Sequence, residues 1–279
     1  MRTTAPAWDL ALRRGKDSVV CDLKADGAFA RALCAKADVV LEGFRPGVAA
    51  RLGVGPDDVP ARAVYCSITG FGATGRHADR VGHDLNYLGW AGALADTAPG
   101  LPPVQAADLA AGAMRAVSLV LAALVRRERT GEGAHLVVSM THGAHDLVAH
   151  RVGDGPLARL LTGGLACYAV YETRDGRHLT VGALEPAFFA RLCELAGMPE
   201  LADRQYDEVQ EPLRAELAAV FRERTLAEWL ALFDAADVCV GPVATLEEAH
   251  ADLGPWPEPP PDVPLGAHTE AWRRELESA

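Results

Sequence analysis

The sequence predicts an α/β protein: an open, mainly parallel, Rossmann-like sheet in a large domain, joined to a small α+β domain. Three observations predict it. Through the first half of the chain, short apolar runs alternate with stretches of helical periodicity, the rhythm of a parallel sheet and its crossover helices. The runs are apolar at consecutive positions, as at Val39, Val40 and Leu41, which suits strands covered on both faces. Beyond a stretch at 153–164 that holds Pro156 and Gly163-Gly164, the pattern becomes a hairpin followed by helices. The predicted organisation is a large α/β domain over 1–152, a linker over 153–164, a small α+β domain over 165–236, and a segment over 237–279 that returns to the large domain.

In order, residues 1–15 lack periodicity and are expected to be irregular. Residues 18–23 read as a strand. Asp26 can cap a helix over 27–37, with Phe29, Leu33 and Ala37 on one face. A second strand covers 38–43. Pro46 opens a short helix that Gly53 ends. The apolar run into Tyr65, Cys66 and Ile68 is a third strand, which Gly70, Gly72 and Gly75 break. A helix opens at His83-Asp84, and a longer one runs over 108–128 with Asp108 at its start and Met114, Val117, Val120, Leu121, Leu124 and Val125 along an apolar stripe. A strand at 136–140 and a helical stretch to 150 close the first domain. Strands at 166–172 and 178–183 form a hairpin, and helices follow at 186–196, 211–224 and 226–236. Residues 238–243 read as a strand, and 255–264 as an extended Pro-rich segment.

Composition narrows the function. A chain of 279 residues with 38 acidic and 27 basic side chains carries a net charge of −11, which argues against a nucleic-acid partner. The strongly apolar run at 117–125 is too short to span a bilayer, and the N-terminus has no apolar signal core. A cytoplasmic protein without a membrane partner is expected. The 6 cysteines form no CxxC pair and sit mostly in apolar stretches, as buried reduced thiols do.

The motifs EGFRPGV (42–48), SITGFGATG (67–75), GHDLNY (82–87), ADLAAG (107–112) and VGALEP (181–186) stand in that order. Together they resemble the family III CoA-transferase superfamily (CaiB/BaiF type), in its α-methylacyl-CoA racemase branch. The resemblance runs from about residue 14 to about 243, with a weaker echo at 265–272. The family's usual opening strand and Gly/Pro turn have no counterpart ahead of it, so the nucleotide pocket is expected to be incomplete and coenzyme A (CoA) weakly held. Arg76 stands where the family often has proline.

Three residues carry the expected chemistry. His83 follows a Gly-rich loop, and an imidazole can take or give a proton near neutral pH. Asp108 sits at a helix start, where the dipole lowers a carboxyl pKa and an apolar surround raises it. Glu185 precedes Pro186 at the entry to a helix. The resemblance implies that Asp108 is the acid/base of the racemases or the nucleophile of the transferases. It also implies that the residue matching Glu185 comes from the partner subunit and orients the histidine, which makes an interlocked homodimer the expected assembly. A thioester acidifies its α C–H, and two acid/base groups flanking that carbon invert it. The enolate oxygen then needs preorganised donors.

Leu23, Lys24, Gly43, Phe44, Arg45, Thr69, Gly70 and Tyr87 lie at or near predicted strand ends and on the helix beyond, where an open α/β sheet binds ligands. Lys24 and Arg45 are the expected phosphate partners. No tightly bound cofactor is expected; CoA enters as part of a small-molecule acyl substrate. His142, His145 and Asp146 have helical spacing, but no further ligands accompany them, and no metal is expected. The leading expectation is an enolising isomerase, a racemase or epimerase. The alternatives are a CoA-transferase with Asp108 as nucleophile, a CoA-independent acid/base enzyme, and a non-catalytic assembly partner.

Overall fold

The computed structural model describes residues 6–151 and 159–278. The chain divides into two compact units, one of Met1–Ala149 with Pro257–Ala279 and one of His150–Trp256. The part of the predicted linker at 153–158 lies outside the described residues.

The first unit opens with α1 (Pro6–Leu12), where no periodicity predicted a helix, and α2 (Gly27–Lys36). Strand β1 (Val39–Glu42), helix α3 (Val48–Arg51), strand β2 (Val64–Thr69) and helix α4 (Asp84–Trp90) follow. A π-helix over Ala106–Met114 runs directly into α5 (Arg115–Thr130), and β3 (Ala134–Ser139) leads into α6 (Met140–Leu147). The three strands are parallel in the order β1-β2-β3, so β2 is central, with Val64, Tyr65 and Cys66 almost completely buried. Helix α5 lies on β2 and β3 through Ala116 and Val120, which meet Cys66, Ile68, Leu136 and Val138.

Several expectations need correction. Residues 18–23 form no strand. Their backbone bonds to the C-terminal segment instead: Ser18 N–H donates to His268 Nδ1 at 2.9 Å, and Val20 N–H to Thr269 Oγ1 at 2.9 Å. A strand cannot join the sheet when its donors are taken by side chains. Asp26 makes no side-chain cap on α2, because its carboxylate takes the Arg273 guanidinium. Asp108 is not the start of its helix; it lies inside the π-helix, and Gln105 is the N-cap. Coverage on both faces also fails. Leu41 and Val137 are exposed, and on α5 Val117, Leu121 and Val125 are 51%, 57% and 60% exposed. By length and composition the continuous helix Ala106–Thr130 would suffice to cross a bilayer, a test that the shorter run 117–125 fails.

The second unit pairs β4 (Tyr168–Glu172) antiparallel with β5 (His178–Gly182), the predicted hairpin. Helices α7 (Pro186–Ala196), α8 (Glu211–Phe221) and α9 (Leu226–Phe233) follow, then β6 (Val240–Pro242) and α10 (Leu246–Leu253). Strand β6 pairs with β5, so residues 237–256 stay in this unit rather than returning to the first. The first unit regains the chain only beyond it and ends in α11 (Thr269–Glu277). The second unit has one continuous core containing Phe189, Leu192, Leu213, Leu217, Phe221 and Trp229. Each fully buried Leu or Phe contributes about 1.5–3 kcal/mol. Among its buried polar groups, Trp229 Nε1–H donates to Phe221 O at 2.8 Å, and Gln210 Oε1 accepts the Ala166 N–H at 2.8 Å. Of the cysteines, Cys66, Cys167 and Cys193 are buried free thiols, whereas Cys239 is exposed against expectation.

Candidate active site

The site is built where β2 ends. Thr69 Oγ1 donates to Val138 O at 3.2 Å and accepts the Gly72 N–H at 2.9 Å, which ties the turn to β3. The carbonyl of Gly70 accepts both the N–H and the hydroxyl of Thr141, at 3.0 and 2.7 Å, so the start of α6 is fixed to the same turn. The Tyr87 ring fills the space that side chains at Gly70 and Gly82 would need. A Cβ would lie 2.5 Å from that ring at Gly70 and 2.8 Å at Gly82. The Tyr87 hydroxyl donates to Gly82 O at 2.5 Å, closing the 70–82 loop onto α4. Burial, and then the charge of Asp108, push the Tyr87 phenol above its ordinary value.

His83 is the N-cap of α4, with extended backbone, and its N–H donates to Asn86 Oδ1 at 3.0 Å. That bond leaves the imidazole exposed on the wall of the cleft. The next residue, Asp84, is 3% exposed, and its Oδ1 accepts the Asp108 N–H at 2.8 Å. A buried carboxylate thereby fixes the backbone of a second acid. The Asp108 carboxyl is raised above the ordinary carboxylate value, first by burial and then by the Asp84 charge, while His83 pulls it back down. The π winding around Asp108 lies against α6, where a Cβ on Gly143 would come within 2.8 Å of Ala111. Only a glycine permits that approach.

A cleft of about 610 Å³ opens beside His83. Gly43, Phe44, Arg45, Thr69, Gly70 and Tyr87 line it, all from the predicted cofactor set. Leu23 and Lys24 do not. Leu23 packs against Ala30, Ala49 and Val54, and the Lys24 N–H turns onto Asp22 Oδ1 at 2.9 Å. Asp108 is half-buried and not part of the cleft wall, although its carboxyl senses His83. Glu185 is the exposed N-cap residue of α7 in the second unit.

Arg80, Asn86 and Met140 also line the cleft and were not singled out from the sequence. The signal for Asn86 was its position three residues after His83, a capping spacing. The signal for Arg80 was a cation in a glycine-bounded loop. His142 Nδ1 shares a hydrogen bond with Ser139 Oγ at 2.7 Å, His145 Nδ1 with Ala91 O at 3.0 Å, and Asp146 pairs with Arg115. Among the described residues no three His, Cys, Asp or Glu side chains converge as a metal site.

Comparison with known proteins assigns this architecture. The family model for CoA-transferase family III matches residues 2–254. The chain belongs to CoA-transferase family III. Two curated relatives in it are the α-methylacyl-CoA racemases of Homo sapiens and Mus musculus, each 35% identical; the alignments cover 85% of this chain and 67% and 68% of those proteins. Other family III relatives are CoA-transferases, such as the succinyl-CoA:glutarate CoA-transferase of Mus musculus, 29% identical over 89% of this chain and 62% of that protein. Among solved structures, a variant of Rv3272 from Mycobacterium tuberculosis matches with a TM-score of 0.77 and 28% identity, over 93% of this chain and 82% of that one. A CaiB/BaiF family protein from Brucella suis matches with a TM-score of 0.71 and 26% identity, over 94% of this chain and 82% of that one. The family III relatives are thus racemases and transferases, and the family alone supports either chemistry.

Proposed function

We propose that this protein is an enolising isomerase that moves a proton at the carbon α to an acyl-CoA carbonyl. The observation that carries the reading is the Asp84 bridge. One residue from His83, it holds the backbone of Asp108, and Asp108 keeps a raised pKa within electrostatic reach of His83. A carboxyl raised in this way holds its proton nearer neutral pH and is the better proton donor; an imidazole beside the cleft takes the proton from the other face. The residues from Gly43 to Arg45 and the turn at Thr69-Gly70 are the proposed CoA contacts.

Glu185 of the partner subunit is proposed to orient His83, in an interlocked homodimer. The exposed apolar face of α5 is the kind of surface that a second copy covers. Light scattering should give a dimer at micromolar concentration; a monomer with full activity would contradict the intersubunit site.

The transferase reading rests on the relatives that carry that name and on Asp108 as nucleophile. The two readings part on His83. Chiral chromatography of a single-enantiomer 2-methylacyl-CoA should show racemisation by the wild type and loss of it in both His83→Ala and Asp108→Ala. CoA transfer from a donor acyl-CoA to a free carboxylic acid that survives His83→Ala, with an acyl adduct on Asp108 trapped by hydroxylamine, supports the transferase instead.

A further inference from the structure

Several arginines of this acidic chain hold a carboxylate. Arg62 and Arg127 pair with Asp38, Arg177 with Glu248, Arg204 with Glu216, and Arg222 with Glu172. The two arginines that line the cleft do not. Among the described residues no carboxylate is paired with Arg45 or Arg80, and no Asp or Glu lines the cleft. In a protein with 38 acidic and 27 basic side chains, a cleft with two unneutralised guanidiniums is a local reversal of charge.

Arg80 is also held in place. Its guanidinium carbon lies 5.3 Å from the centre of the Trp90 ring, and its Nε donates to His77 Nδ1 at 2.9 Å. His77 itself packs on Trp90, with ring centres 4.2 Å apart. Burial, and then the charges of Arg76 and Arg80, hold His77 below the ordinary imidazole value; Arg76 Nε reaches its other ring nitrogen at 2.8 Å, and a neutral ring accepts from one of the two. Neither contact neutralises the guanidinium. Stacking on an aromatic face and donation from Nε leave the terminal nitrogens for a planar, two-oxygen acceptor.

We propose that Arg80 is a second anion-recognition residue of the cleft, acting with Arg45 on an anionic oxygen group of the substrate. The group is a phosphate of CoA or a carboxylate on the acyl chain; both offer the paired oxygens that a guanidinium binds bidentately. The assignment rests on the acyl-CoA reading above and adds to it a residue that sets substrate affinity.

Titration calorimetry of the full chain tests it, with CoA, 3′-dephospho-CoA, a monocarboxylic acyl-CoA and a dicarboxylic acyl-CoA as ligands. Arg80 is exposed, so Arg80→Gln should fold, which circular dichroism verifies. Arg80→Gln should weaken binding by about tenfold, with Arg80→Lys intermediate because it restores the charge without the planar fork. A loss equal across CoA and both thioesters, and missing with 3′-dephospho-CoA, assigns the 3′-phosphate. A loss shared by all four ligands assigns the diphosphate. A loss confined to the dicarboxylic thioester assigns the acyl carboxylate. Arg62→Gln, which breaks a pair with Asp38 away from the cleft, should leave all four affinities unchanged. Wild-type affinities retained within twofold in Arg80→Gln, alongside a loss in Arg45→Gln, overturn the assignment while leaving the thioester reading intact. A folded wild type that binds none of the four ligands overturns the thioester reading and this assignment with it.

Discussion

In the unit spanning His150–Trp256, Trp229, Phe221, Phe189 and Leu213 are fully buried in one continuous cluster. In the other unit the buried side chains fall into separate small groups around Ala30, Cys66 and Tyr87, while Met114, Val117, Leu121 and Val125 face outward. The contrast follows from architecture. Both three-stranded sheets have two edges, but the helices of the antiparallel one pack a single continuous core, whereas the parallel one leaves its covering helix half used. The proposed acid/base pair and the cleft lie in the less enclosed unit. Its close approaches, at Gly70 and Gly143, concentrate around the site rather than in a broad core. One unit thus stabilises itself, and the other is organised around the candidate site.

The largest expected effects come from breaking that chemistry without touching the other unit. His83→Ala and Asp108→Ala should each lose about 10²- to 10⁴-fold in turnover. Their denaturation curves should keep the wild-type slope, as urea titration with matched kinetics will check.

Breaking the closed core should do the reverse. Trp229→Ala should destabilise the second unit by about 3–5 kcal/mol, read from its unfolding midpoint. Next in size is Gly70→Ala. Its Cβ would meet the Tyr87 ring, so a loss of about 1–3 kcal/mol should coincide with reduced activity, because the same contact shapes the cleft.

Subtler tests use charge. Asp108 has a folded pKa above its ordinary value, so its carboxyl favours the folded state at low pH and costs stability once pH rises through that raised pKa. Asp108→Asn should therefore be inactive yet melt higher than wild type at neutral pH, the difference vanishing below the ordinary carboxylate range. Asp84→Asn keeps an acceptor for the Asp108 N–H but removes the charge that raises Asp108. With Asp108 as the proton donor, the alkaline limb of its kcat/KM profile should move to lower pH. The smallest effect on single-chain stability, within about 0.5 kcal/mol, is expected for Leu121→Glu on the exposed face of α5, where light scattering should instead register weaker self-association.

The sequence made the local features plain. The three parallel strands, the hairpin at 168–182 and helix Pro186–Ala196, with its proline at the first turn, follow from periodicity and turn chemistry. Features that depend on distant partners were not legible. Residues 18–23 look like a strand locally, but their donors bond to groups some 250 residues away in sequence, as Ser18 does with His268. Asp26 had the chemistry of a cap, yet the Arg273 guanidinium took it. Strand β6 was visible, but its neighbour was not. Helix α10 had a capping-box signal, Thr245 with Glu248, that went unused. At the site, His83 and most of the cleft wall fall within EGFRPGV, GHDLNY and the glycine turn. The bond joining Asp84 to Asp108 could not, because the π winding that presents Asp108 arises from packing rather than from residue preference.

Proton exchange at the α-carbon tests the central claim most directly. The wild-type protein incubated in deuterium oxide with a 2-methylacyl-CoA should place deuterium at that carbon, detected by mass spectrometry. His83→Ala and Asp108→Ala should each abolish most of the incorporation. A thioester that binds, yields an acyl adduct at Asp108 and never exchanges its α proton would contradict the account.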